Sequence, residues 1–218
     1  FPVKDAPASF RYVGPIRFRA ALPRPIWLGR LSKDRPTLYF TMGSTGDARF
    51  FSEAVRVFGG TKYQVLITTA GLPAQLFSRY DNVFVEELAD GDSLMAASQL
   101  TITHGGNGTI YQALGQGVPV IGIPTMFDQE INLQRVEALG AGQRLQLRDC
   151  RGEVLRSTVE RILNTPSYRE AAAHLQRRIQ TFEGPRAAAQ HVDHFLRTGD
   201  PTSRPTESLP KESSLPRT

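Results

Sequence analysis

The chain has 218 residues, 40% of them hydrophobic, and a formal net charge of +5 at pH 7. No apolar run approaches the roughly 20 residues that cross a bilayer, and the single cysteine, Cys150, excludes an internal disulfide and favours a reducing, cytoplasmic setting. The basic excess is compatible with a peripheral membrane contact, which nothing else in the sequence supports, and no basic motif with interleaved aromatic residues indicates nucleic acid.

Residues 1–35 are rich in Pro and Arg and lack sustained periodicity. Such a composition predicts an extended lead-in or interdomain linker. The sequence begins with Phe1 rather than Met and shows no apolar signal-peptide core, so we expect a processed chain or part of a longer one.

Residues 36–197 alternate between strand and helix patterns. Strands are predicted at 37–42, 63–69, 82–88, 100–103, 118–123 and 143–147. Helices are predicted at 47–58, 92–97, 107–115, 128–139, 151–163, 167–182 and 185–196. This alternation favours an α/β fold with a doubly wound, Rossmann-like parallel sheet of about six strands, followed by C-terminal helices. Residues 198–218 are mainly Pro, Ser, Thr and charged residues, which bury too little apolar surface to offset ordering entropy, so we expect a disordered tail.

A glycine-rich segment, HGGNGT from His104 to Thr109, joins a predicted buried strand to a predicted helix. Ligands of doubly wound sheets bind at the carboxyl ends of the strands. Gly105, Gly106 and Gly108 lack side chains, so a ligand could approach the backbone, and the free N–H groups that open the helix would point at it. This predicts an anion site, most naturally for a phosphate or diphosphate. On the glycines alone, the alternative is an ordinary turn without a ligand.

These residues and later ones resemble the donor-binding signature of GT-B-fold glycosyltransferases of the UDP-glycosyltransferase type. The chain shows HGGNGTIYQAL from His104, GVPVIGIP from Gly117 and DQEINL from Asp128 at matching spacing. The segment from Tyr12 to Pro15 resembles the YVGP interdomain segment of that family, and Gly43-Ser44 resembles its first βα turn. The resemblance runs from about Tyr12 to Leu196 and covers the C-terminal, donor-binding half of such an enzyme.

The resemblance implies a role for each of a set of residues in this chain. His104 would contact the donor phosphate; Gly105, Gly106, Asn107, Gly108 and Thr109 would cradle the diphosphate, with Ser44 nearby; Gln112 would face the ribose; Asp128 and Gln129 would bind the sugar hydroxyls. Two alternatives stay open, since Ser44 could be a simple turn residue and Asp128 could cap its helix.

Two positions depart from the pattern of the family. Gln112 stands where many relatives have a Glu that grips the ribose hydroxyls, and an amide makes that contact without charge assistance. Leu88 stands where plant relatives have a Trp that stacks on the base. The resemblance therefore leaves the base open between uracil and thymine.

Other reactive groups give weaker indications. His191 and His194 could hold a metal, but surface positions are favoured. Glu86 and Glu87 could serve acid–base chemistry, but solvated charges at a strand end are favoured. Cys150 lacks the surroundings of an activated thiol. We therefore expect no metal and no cofactor, with the nucleotide sugar as a substrate.

The resemblance implies that the catalytic base lies in an N-terminal, acceptor-binding half, and residues 1–35 are too few to supply it. We expect an inverting hexosyltransferase domain that takes a UDP- or dTDP-sugar, acts on an acceptor hydroxyl, and needs an N-terminal domain or a separate subunit as partner. The last predicted helix would cross onto that partner, so Ala188, Val192 and Phe195 would face either the partner or their own domain. The alternative function is a catalytically silent nucleotide-binding subunit. A sugar-nucleotide epimerase would need acidic catalytic residues that the sequence does not show in place.

Overall fold

The computed structural model describes residues 5–17, 21–43 and 49–205, and a parallel sheet of six strands lies at its centre. The strands are β1 (Thr37–Thr41), β2 (Gln64–Thr68), β3 (Val83–Glu86), β4 (Leu100–Thr103), β5 (Val120–Gly122) and β6 (Gly142–Arg144). Their order across the sheet is β3-β2-β1-β4-β5-β6, so the winding reverses between β1 and β4. In such sheets the loops after these two strands open a crevice in which ligands bind.

Helices connect the strands and complete the chain. They are α1 (Arg49–Phe58), α2 (Gly91–Ala96), α3 (Asn107–Gly115), α4 (Phe127–Ala138), α5 (Gly152–Asn164), α6 (Pro166–Gln180) and α7 (Gly184–Thr198), with short 3-10 helices at Ile26–Arg30, Ala74–Leu76 and Leu147–Asp149. The predicted doubly wound sheet is confirmed. Each predicted strand and helix has its counterpart in the structure, and the observed ends differ from the predicted ones by up to three residues. The largest difference is at β6, which ends at Arg144 and is followed by the 3-10 helix Leu147–Asp149.

The sheet separates two hydrophobic cores. Alternate residues of β1 serve opposite faces: Leu38 and Phe40 pack with α1 and α5, whereas Tyr39 packs with α2, α3 and α4. Every residue of β1, β2, β4 and β5 is buried. A strand covered by helices on both faces needs apolar residues throughout, which explains the continuous apolar runs in the sequence.

The described part of the lead-in includes the 3-10 helix Ile26–Arg30 and packs closely on the domain. Gly14 adopts φ +85°, and a Cβ there would lie 2.5 Å from the Phe182 side chain, just beyond α6. A Cβ at Gly184, where α7 begins, would lie 2.4 Å from the Pro15 carbonyl oxygen. Further on, Leu28 is buried in the core on the α3 face. The lead-in therefore has fixed contacts at both of its described parts.

Helix α7 leaves an apolar stripe uncovered by the described residues. Val192 is 58% exposed and Phe195 46% exposed, whereas Ala188 is half-buried. Of the two orientations expected, packing of Val192 and Phe195 on their own domain is therefore wrong within the described part of the chain. After α7, the guanidinium of Arg11 donates to the carbonyls of residues 201–203. The rest of the predicted disordered tail, 206–218, lies outside the described residues.

Candidate functional site

His104 lies at the reversal point of the sheet, directly after β4. Its ring is buried between two glycine backbones, because a Cβ at Gly43 or at Gly106 would lie 2.5 Å from an atom of the imidazole. Gly43 follows β1 and has φ +54°. The Nδ1 atom lies 3.2 Å from the Thr103 hydroxyl. The ring thus occupies one fixed place, and no local sequence pattern indicates that Gly43 and Thr103 hold it there.

The surroundings of His104 favour the neutral imidazole. Burial lowers its pKa below the usual 6.5, and the nearby carboxylate of Asp128 partly opposes that shift. A neutral imidazole carries one N–H, so at neutral pH His104 can donate one hydrogen bond and accept another. The proximity of Asp128 also shows that the loops after β4 and β5 converge.

The three glycines of the HGGNGT segment have different roles in the structure. A Cβ at Gly105, which has φ +92°, would lie 2.5 Å from Leu133 of α4, and one at Gly106 would strike His104. At Gly108, a Cβ would meet no atom of the described chain within 4 Å. Gly105 and Gly106 therefore permit close packing inside the domain, whereas Gly108 borders open space, and the approach of a ligand to the backbone of all three stays a prediction.

The first turn of α3 is open to an incoming anion. Gly106 caps the helix without a side-chain hydrogen bond, and the turn contains no acidic residue. Asn107 and Gly108 are exposed, and Thr109 is half-buried. Backbone N–H groups at a helix start carry partial positive charge, and here the N-cap residue has no side chain that accepts from them. The arrangement has the chemistry of a phosphate-binding site.

The start of α4 brings Asp128 and Gln129 to the same edge but orients them differently. Asp128 is exposed and is the second residue of the helix, so the alternative in which it is the N-cap is wrong. Gln129 is only 2% exposed, and its Oε1 accepts from the backbone N–H groups of Thr125 (2.9 Å) and Met126 (3.2 Å). Gln129 therefore fixes the loop before α4, and its binding of a sugar stays a prediction.

Asn132 is a residue that the sequence reasoning missed. Its Nδ2 donates to the Gly105 carbonyl at 3.2 Å and so ties α4 to the HGGNGT segment. Asn132 lies four residues after Asp128, on the same face of the helix. The four-residue spacing from Asp128 could have indicated from the sequence that Asn132 faces the same edge of the sheet.

Gln112 lies beside the loop from β3 to α2. A Cβ at Gly91 would be 3.7 Å from both polar atoms of the Gln112 amide. Leu88, in the same loop, is 60% exposed. The structure thus places Gln112 next to the start of α2, at the end of the loop that carries Leu88.

The remaining candidates include Ser44, Glu86, Cys150 and His194. Ser44 lies outside the described residues. Glu86 is not a free solvated charge, because it accepts a hydrogen bond from Trp27 at 2.6 Å. Cys150 is buried, and burial together with nearby carboxylates raises the pKa of its thiol far above the usual value. His194 pairs with Ser203 at 2.7 Å, as a surface residue would.

The described residues offer neither a metal-binding cluster nor a membrane-spanning helix. No group of three His, Cys, Asp or Glu side chains among them could hold a metal ion. None of their helices combines the length and the apolar character needed to cross a bilayer.

Comparison with known proteins shows that the chain is similar to the C-terminal part of proteins named as glycosyltransferases. Residues 65–194 match the family described as "Erythromycin biosynthesis protein CIII-like, C-terminal domain". The chain is 33% identical over 198 residues to a PGL/p-HBAD biosynthesis glycosyltransferase of Mycobacterium tuberculosis, covering 90% of this chain and 45% of that protein. It is 33% identical over 205 residues to a PGL/p-HBAD biosynthesis rhamnosyltransferase of Mycobacterium bovis, covering 94% and 44% respectively.

The fold is similar to that of a solved glycosyltransferase structure. The calicheamicin glycosyltransferase CalG4 superposes with a TM-score of 0.69 at 27% identity, over 75% of this chain and 44% of CalG4. The chain therefore spans less than half the length of the relatives it matches, and the predicted likeness to the C-terminal half of a GT-B glycosyltransferase is confirmed.

Proposed function

This chain belongs to the family of erythromycin biosynthesis protein CIII-like C-terminal domains, and from that premise we propose that it binds the nucleotide-sugar donor of an inverting glycosyltransferase. The donor is a UDP- or dTDP-hexose, and the acceptor is a hydroxyl group. The observation that carries the proposal is the open first turn of α3 beside the fixed ring of His104.

The diphosphate lies at the start of α3. The N–H groups of Asn107, Gly108 and Thr109 point toward it, Gly108 admits it closely, and the Thr109 hydroxyl and the His104 imidazole complete the donor set. Such preorganised donors stabilise the charge that develops on the leaving diphosphate. The nucleoside extends past Gln112 toward the loop of Leu88.

The sugar lies between the start of α3 and the start of α4. Asp128 is exposed there and can accept hydrogen bonds from sugar hydroxyls. In the transfer, the acceptor oxygen bonds to the anomeric carbon as the bond to the diphosphate breaks, and a base takes the acceptor proton. That base belongs to an N-terminal, acceptor-binding domain or subunit, because His104 faces the donor.

Calorimetry with UDP, dTDP and inorganic pyrophosphate, in buffer with EDTA, tests the binding step. We expect all three to bind, because N–H groups and an imidazole supply the contacts. His104→Ala and Thr109→Ala should each weaken binding by roughly 1–3 kcal/mol, the scale for losing a hydrogen bond to a charged group. No heat from any of the three at millimolar concentration would contradict the proposal.

A transfer assay separates the enzyme domain from a silent nucleotide-binding subunit. The chain is mixed with the N-terminal half of a relative and a panel of hydroxylated acceptors, and UDP or dTDP release is followed. We expect transfer with the added half and none without it, because a base must lie within hydrogen-bond reach of the acceptor. Nucleotide binding without transfer under any combination would favour the silent subunit.

A further inference from the structure

The loop between β3 and α2, residues 87–90, is exposed at its first two residues and anchored at its last two. Leu88 is 60% exposed, whereas Ala89 is 8% exposed and belongs to the same core as Leu28 of the lead-in. Asp90 caps α2, because its Oδ1 accepts from the Asp92 N–H at 3.2 Å. The loop therefore exposes the apolar side chain of Leu88 to solvent, and its neighbours anchor the backbone.

Two hydrogen bonds from the lead-in reach the ends of this loop. The carbonyl of Pro23 accepts from the Asp90 N–H at 3.2 Å. At the other end, the indole Nε1–H of Trp27 donates to Glu86 Oε1 at 2.6 Å, and the same indole stacks on Phe84 with ring centroids 5.1 Å apart. The segment from Pro23 to Trp27 thus spans the loop from its last residue back to the strand before it.

The bond between Trp27 and Glu86 is suited to fixing the loop. A hydrogen bond to a carboxylate is roughly twice as strong as one between neutral groups, and this one is partly buried. Phe84 and Glu86 lie two residues apart, on one face of the edge strand β3, so the indole covers both of them. On the other side of the strand end, the Glu86 carbonyl accepts from the Thr69 N–H at 3.1 Å. The residue before the loop is therefore held from two sides.

We infer that the lead-in positions the nucleobase end of the donor site, with Trp27 as a positioning residue that acts through Glu86. This inference rests on the proposed function and deepens it. Leu88 offers the base an apolar surface, and Gln112 lies beside the end of the same loop. Holding that surface in place before the ligand arrives lowers the ordering cost of binding. Trp27 contacts Phe84 and Glu86 at the end of β3, so we expect its effect to be confined to ligands that carry a base.

Calorimetry on Trp27→Phe, which keeps the stacked ring but removes the N–H donor, tests this inference. We expect UDP and dTDP to bind about three- to tenfold more weakly, and inorganic pyrophosphate to bind as to the unmodified chain. Glu86→Gln should show the same pattern to a smaller degree, because an amide oxygen accepts a weaker hydrogen bond. Ile26→Ala is the matched control, since Ile26 is 89% exposed in the same 3-10 turn and should leave all three affinities unchanged.

The outcomes separate this inference from the proposed function. If the unmodified chain binds none of the three ligands, the proposed function fails and the inference fails with it. If it binds all three and Trp27→Phe binds them equally well, only the inference is overturned. Equal weakening for UDP and pyrophosphate would also overturn it, because the loss would then come from the whole domain.

Intrinsic fluorescence gives a second measurement that needs no variant. Trp27 is the only tryptophan in the chain, so the emission reports on this contact alone. We expect UDP and dTDP to change the emission and pyrophosphate to leave it unchanged. Emission that responds to pyrophosphate as strongly as to UDP would contradict the assignment of Trp27 to the base end of the site.

Discussion

The residues around His104 bury its imidazole and thereby favour the neutral form of the ring. The glycines at positions 43 and 106 let the backbone close on the imidazole, and the resulting burial removes the water that a charged ring would need. The pKa of His104 is lowered for this reason, with the carboxylate of Asp128 acting in the opposite direction.

The lowered pKa of His104 predicts a pH-dependent stability. Between the folded and the unfolded pKa, the unfolded chain binds more protons, so the free energy of unfolding should be fully retained above about pH 6.5 and decline as the pH falls below it. Urea denaturation from pH 7.5 to 5.0 measures this decline. His104→Gln should flatten it, whereas His174→Gln, at an exposed position of α6, should leave it in place. An identical decline in both variants would contradict the assignment.

Gln112 predicts a gain of affinity on substitution. Gln112→Glu should strengthen UDP binding by about 1 kcal/mol, because a carboxylate accepts stronger hydrogen bonds from the ribose hydroxyls than an amide does. Pyrophosphate, which has no ribose, should bind no more tightly. Gln134→Glu, at an exposed position of α4, is the matched control. Calorimetry with UDP and pyrophosphate measures both affinities. Equal gains in affinity for the two ligands would show that Gln112 does not face the ribose.

At the scale of elements, the turn from β4 into α3 combines a packing requirement with an open face. Gly105 is needed because φ is +92° and because Leu133 lies where a Cβ would be. Gly108, three residues later, has open space around it in the described structure and lies in a helix, where glycine is intrinsically unfavourable. A single short segment therefore contains one glycine required by the fold and one that the fold does not require.

This difference gives a matched pair of variants. Gly105→Ala should lower the free energy of unfolding by roughly 1–3 kcal/mol, because alanine is strained at that φ and meets Leu133. Gly108→Ala should keep or raise stability by up to about 1 kcal/mol but weaken UDP binding, because its methyl group occupies the approach to the helix start. Thermal unfolding and calorimetry measure the two effects. Gly108→Ala with unchanged UDP affinity would place the diphosphate elsewhere.

At the scale of the whole molecule, the lead-in connects regions that are far apart in the chain. Its first described part contacts the junction of α6 and α7 through Gly14 and Pro15, and its second part contacts β3 and the loop after it through Pro23 and Trp27. Arg17 lies between them, and its Nη1 is 3.8 Å from the carboxylate of Asp92 in α2. Through these contacts, the lead-in joins the last helices to the proposed base end of the site.

Gly14→Ala should release the first part of the lead-in. Alanine is strained at φ +85° and would overlap Phe182, so we expect faster tryptic cleavage after Arg11 and Arg17 and a loss of roughly 1–3 kcal/mol in unfolding free energy. Gly29→Ala is the control, because a Cβ there meets no atom of the described chain within 4 Å. Limited proteolysis followed by mass spectrometry measures the cleavage. Equal cleavage rates in the two variants would show that the contact at Gly14 does not hold the lead-in.

The sequence by itself determined the class of the fold and predicted where the candidate site lies. Strand and helix periodicities are local, and their alternation allowed few arrangements other than a parallel, doubly wound sheet. The HGGNGT segment was predicted at a strand end for the same reason, since its glycines lie directly between two clear patterns. The roles of His104, Asn107, Thr109 and Asp128 toward a ligand remain predictions, because they depend on a bound donor.

The tertiary structure alone decided which glycine the packing requires and which glycine has open space around it. Gly105 and Gly108 look alike in the sequence, and only the position of Leu133 on α4 distinguishes them. Trp27 and Glu86 are 59 residues apart, and no local pattern indicates that they meet. Periodicity reports on which face of an element is apolar, whereas these contacts depend on where distant elements are placed against one another. That placement is set by the packing of the whole domain, which short-range sequence patterns do not encode.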